Sequence, residues 1–91
     1  MNGQDRRKLE KLLGVAQIAM ASLESVRSAL EDMAGDEEVK FDNMCERGLE
    51  DSEQAQKIEE AQGVLEEGAS GVDEAHSALE IAIAELEGLV E

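Results

Sequence analysis

The side chains in this sequence that can do chemistry are overwhelmingly carboxylates. Glu59, Glu60, Glu66, Glu67, Asp73, Glu74, Glu80 and Glu87 recur with a period of seven, which on a helix sets them along one outer face. A rigid row of carboxylates can take the phosphate sites of a DNA-binding protein and compete with its normal ligand. This face is therefore a candidate binding surface for a partner protein with a basic patch. The same pattern also fits the solvated face of a coiled coil. Charged pairs recur every ~10.5 Å by helical rise, wider than successive phosphates of one strand. The opposite charge clusters only at Arg6, Arg7, Lys8 and Lys11. That cluster either pairs with an acidic helix end or, if several copies bring it together, forms an anion site for a phosphate-bearing ligand.

The remaining reactive residues give no catalytic pattern. Asp36, Glu37, Glu38 and Asp42 lack the alternating oxygen ligands and the sharp-turn glycine of a calcium loop. His76 and Cys45 are single and far apart, so no metal cluster is expected, and Cys45 reads as a free thiol in a turn. There is no Gly-rich phosphate loop and no nucleophile elbow. The expectation is a non-enzymatic protein without metal or cofactor.

The elements that carry these residues must be helical. The chain has 91 residues, one Phe, no Trp, Tyr or Pro, and a net charge of −15. Helix formers dominate and the β-branched and aromatic runs of strands are missing. An acidic, aromatic-poor chain invites disorder, but strict apolar periodicity argues for packed helices. The charge repels nucleic acid and anionic membrane, so direct binding to either is not expected. The longest apolar stretch, Gly14 to Ala21, is cut by Gln17 and is far short of the ~20 residues a span needs. With a single thiol and no signal segment, a cytoplasmic location is expected.

In the first half, Leu9, Ala16, Leu23 and Leu30 recur every seven residues, and Leu12, Ala19, Val26 and Met33 form a companion column. Leu13 and Met20 widen that stripe. In the second half one column is large (Ile58, Leu65, Val72, Leu79, Leu86) and its companion is small (Ala61, Gly68, Ala75, Ala82) until Leu89. Such a pairing lets helices approach closely. The phase carries through Gly63, Gly68 and Gly71, which favours one long helix over two, although each glycine costs roughly 1 kcal/mol against Ala. Between the halves, Gly35 to Asp51 loses the phase, with Asp36 available to cap a fresh turn and pair with Lys40.

These signals predict a single all-α domain over 1–91. It has a first helix at about 5–34, with an extension to 44 allowed, a turn at about 45–51 and a second helix at about 52–90. Asp51 or Ser52 caps the second helix, and Glu53 pairs with Lys57. The basic start of the first helix and the acidic end of the second (Glu85, Glu87, Glu91) each oppose their own dipole, so an antiparallel hairpin that brings them together relieves both. A hairpin this thin is expected to leave Leu13, Met20, Ala69, Ile83 and Val90 uncovered, and hence to assemble into a homo-oligomeric helical bundle.

Phe41-Asp42-Asn43-Met44, followed by Ser52-Glu53 and Leu-Glu-Glu heptads, resembles a group of small acidic proteins of tailed bacteriophages and prophages. That group has a Phe-Asp-Asn-Met-like core followed by Pro, where this chain has Cys45. The resemblance implies a phage origin and action inside the host cell. Phe41, Asp42, Asn43 and Met44 then either plug the end of the hairpin or form an end contact for a partner. The leading expectation is an acidic interaction protein that inhibits a host nucleic-acid-binding or defence factor by DNA mimicry. A purely structural coiled coil and an oligomeric sponge for a nucleotide signal are the alternatives.

Overall fold

The computed structural model describes all residues from Met1 to Glu91. It is an all-α antiparallel hairpin of two helices, α1 (Gly3–Glu46) and α2 (Glu53–Glu87), with no strand. The hairpin is a thin rod, 68 × 15 × 14 Å across its Cα atoms. Asn2 caps α1, its Oδ1 accepting from the Asp5 N–H at 2.8 Å. Ser52 caps α2, its Oγ accepting from the Ala55 N–H at 3.1 Å, so the cap is Ser52 rather than Asp51. Each satisfies one of the amide groups that a helix start leaves without a partner.

The turn ends α1 in a Schellman arrangement. The Leu49 N–H donates to the Met44 carbonyl at 2.8 Å and the Gly48 N–H to the Cys45 carbonyl at 3.0 Å. Gly48 carries φ 72°, the left-handed conformation this motif needs and glycine adopts without penalty. The helix does not break at Gly35 as the loss of phase suggested. It runs through to Glu46, and Lys40 pairs with Glu37 at 3.0 Å rather than with Asp36. The Glu53–Lys57 pair forms, at 3.5 Å. Helix α2 is likewise continuous through all three of its interior glycines.

Half of the predicted seam needs correction. The columns Leu9, Ala16, Leu23, Leu30 and Ile58, Leu65, Val72, Leu79 do face the partner helix, while Leu86 at the end of α2 is exposed. Their companions are different. On α1 the companion is Leu13, Met20, Arg27, Ala34 and Phe41, not Leu12, Ala19, Val26 and Met33. On α2 it is Ala55, Gln62, Ala69, His76, Ile83 and Val90, not the small column. The buried residues are Leu13, Ala34, Met44, Ala55, Ala69 and Ile83. Of the residues expected to be uncovered, Leu13, Ala69 and Ile83 are therefore buried and Met20 and Val90 half-buried, while Leu12, Val26 and Met33 stand exposed.

The choice follows from the stretch next to the turn. Continued past Ala34, the observed phase places Glu37, Phe41 and Met44 in the seam. The expected phase shares Glu37 and Met44 but places Lys40 and Arg47 there in place of Phe41. Packing Phe41 into the seam and leaving the two cations in water is favourable by the ordinary transfer of apolar surface. With this phase, the periodicity is never lost between Gly35 and Met44.

Candidate functional site: a carboxylate face

Two contacts fix the level of one helix against the other. A methyl group on Gly68 would lie 3.7 Å from Leu30 Cδ1, and Arg27 Nε lies 3.8 Å from Asp73 Oδ1. Each half-buried column on either helix has a flank on either side of it. On one side of the seam α1 presents Glu10, Gln17, Glu24, Glu31 and Glu38, and α2 presents Glu59, Glu66, Asp73, Glu80 and Glu87. Their common side is marked by Gln17 Nε2, which donates to Glu87 Oε1 at 3.3 Å, and by a shallow groove shared by Arg27, Glu31, Glu66 and Asp73. The predicted acidic residues of α2 are exposed except Glu87, which is half-buried, with Glu60, Glu67 and Glu74 one step further round the helix.

The α1 contribution to this face lies outside the sequence expectation. Its signal is nonetheless in the sequence: Glu10, Glu24, Glu31 and Glu38 repeat at seven with Gln17 between them. The companion column expected for α1 puts this row at the back of the helix and so hides it.

Arg27 is the seam cation that answers these carboxylates. Its guanidinium binds Glu24 and, at 2.7 Å, Glu31 on its own helix, and approaches Asp73 on the other. Hydrogen bonds from Arg27 hold the Glu24 carboxyl below its ordinary value, and the same two glutamates push the Arg27 guanidinium pKa up. His76 is half-buried in the seam, its Nδ1 3.8 Å from Glu80 Oε2. Cys45 is exposed beside the turn, where partial desolvation, then Glu50 and Asp42, push its thiol pKa up. That shift disfavours the reactive thiolate.

The basic cluster is not paired as expected. Helix α1 has 44 residues and α2 has 35, so the start of α1 projects past the end of α2. No carboxylate lies within 4 Å of the side-chain nitrogens of Arg6, Arg7, Lys8 or Lys11. At the other end Phe41 is half-buried and Met44 buried, while Asp42 and Asn43 face solvent. No group of three or more His, Cys, Asp or Glu converges as a metal site, and no helix is long and apolar enough to cross a membrane. Compared with known protein families, curated proteins and solved structures, the chain matches none.

Proposed function

We propose that this protein is a non-enzymatic interaction protein whose carboxylate face occupies the basic, nucleic-acid-binding surface of a partner protein and keeps DNA or RNA off it. The observation that carries this reading is the gathering of carboxylates from both helices on one face, with Arg27 as the seam cation beside them. The four glutamates of α1 and eight acids of α2 lie along ~42 Å of rod, about one charge per 4 Å. That is close to the ~3.4 Å per phosphate of a single strand and sparser than the ~1.7 Å of a duplex. The resemblance to phage proteins makes the target a host nucleic-acid-binding or defence factor met in the host cytoplasm.

The test is capture of the tagged protein's partner from host lysate at low salt. A basic nucleic-acid-binding protein should be retained and then released by added salt. The quadruple variant Glu66→Lys, Glu67→Lys, Asp73→Lys, Glu74→Lys should lose it while keeping its helical circular dichroism. Undiminished capture by that variant ends the reading.

The projecting, unpaired cluster Arg6, Arg7, Lys8 and Lys11 favours a second reading, an oligomer that holds a phosphate-bearing small molecule. In that case Arg7→Glu with Lys11→Glu releases the bound nucleotide and leaves protein capture unchanged.

A further inference from the structure

Opposite the carboxylate face lies a largely apolar face. Here α1 presents Leu12, Val15, Ala19, Ser22, Val26 and Met33, and α2 presents Ala61, Val64, Gly68, Ala75, Ala82 and Leu89. Both rows lie on one side, because Met33 lines an open groove together with Ala61, Val64 and Leu65, with Glu37, Lys57 and Glu60 also lining it. The large residues are well exposed: Leu12 65%, Val26 47%, Met33 52% and Val64 63%. In a chain that is 34% charged, no ionisable side chain interrupts α1's part of the face from Leu12 to Met33, and its one polar group there is the small hydroxyl of Ser22. Lys8, Asp36 and Lys40 of α1 and Lys57, Glu60 and Glu85 of α2 bound it towards its ends.

We propose that this face is covered by the same face of a second copy, giving a two-hairpin, four-helix bundle with its carboxylate faces on opposite outer sides. Three observations point to a copy of this chain. The first is shape. Large side chains stand on α1 and small ones on α2, and a two-fold axis along the rod lays each α1 over the other copy's α2. The level set by Leu30 with Gly68 and Arg27 with Asp73 then places Met33 over Gly68 and Val26 over the Gly71–Ala75 stretch. Both halves of such an interface are satisfied at once, as a two-fold contact requires.

The second is area. A compact monomer of 9.8 kDa exposes about 5,200 Å², and this hairpin exposes 6427 Å², about 1,200 Å² more. The face is ~38 Å long and two helix widths across, roughly 700 Å² per copy, near the ~800 Å² per partner of a stable interface. The third is charge. Two chains at −15 each repel, and this is the one approach that joins them while keeping their carboxylate rows a full bundle apart. Such a dimer does not depend on what the carboxylate face binds.

Sedimentation equilibrium from micromolar to millimolar protein tests it. The expected result is a mass of twice 9.8 kDa at the upper end. Val26→Gln, Met33→Gln and Val64→Gln together should raise the dimer dissociation constant about a hundredfold or more. These positions are exposed in the single hairpin, so its circular dichroism should not change. Glu66→Gln with Asp73→Gln, on the other face, should not weaken the dimer. A 9.8 kDa species at every concentration overturns the proposal, as does a dimer indifferent to the triple glutamine variant, a larger closed assembly, or a monomer that binds only an unrelated protein through this face.

Discussion

The two broad faces of this hairpin are built from the same seven-residue repeat and differ only in which side of the seam they flank. One collects carboxylates from both helices; the other collects Leu, Val, Met, Ala and Gly, with Ser22 among them. In a rod only 15 Å thick, neither face can be hidden within the chain. A heptad pattern with three largely apolar columns can thus serve two interfaces. Two columns close the hairpin, and the third is left over with a separate use. A solvated coiled coil would spend charge on both flanks; this one spends it on one.

The sharpest way to break the comparison is to exchange equivalent residues across it. Ile83 is 5% exposed in the seam and Ile81 is 61% exposed two residues earlier. Ile83→Ala should cost about 2–4 kcal/mol in urea denaturation of the dilute hairpin. Ile81→Ala should change stability by less than about 0.5 kcal/mol. Equal losses would mean that the seam does not run where the two helices place it.

A smaller effect is expected where the turn fixes the phase. Gly48→Ala forces a side chain into the left-handed region and should cost about 1–2 kcal/mol, read as a lower urea midpoint with an unchanged slope. An unaffected midpoint would show that the Schellman turn is not what terminates α1.

The smallest effects probe the carboxylate face itself. Removing the cation in Arg27→Gln leaves Glu24, Glu31 and Asp73 facing one another, so the melting temperature should fall at low salt and recover as salt screens them. Glu24 sharpens this further. Its carboxyl is held below the ordinary value of 4.5, so its contribution is present above that pH and is lost as pH falls below it. The stability difference between the native chain and Glu24→Gln should therefore shrink on acidification through that window. A difference independent of pH would show that the Arg27 contact does not favour the ionised form.

Legibility is uneven along the chain. Helix type, the turn and the columns at Leu9 and Ile58 can be read directly, because each depends on local propensity or on strict repetition. The carboxylate row of α2 is equally visible. The companion columns depart from expectation because apolarity alone favours Leu12, Ala19, Val26 and Met33 over a column that contains Arg27. On α2 it favours Ala61, Gly68, Ala75 and Ala82 over one that contains Gln62 and His76. The structure accepts these polar residues in the seam because a rod this thin keeps them half-exposed, with partners at hand, rather than desolvated. Phe41, set against Lys40 and Arg47, holds the deciding information, and it lies where the expected phase fails.

The sequence by itself determined two helices, their amphipathic repeat, the chain reversal near Gly48 and the excess of carboxylates. Each of these is a property of neighbours within a few residues. The tertiary structure decided which flank of each repeat closes the hairpin. Positions three and four residues from a seam residue lie about 50° to either side of it, so the local pattern is nearly symmetric between them. Only the joint packing of both helices against the turn breaks that symmetry, and with it the charge is sorted to one face and the remaining apolar column to the other.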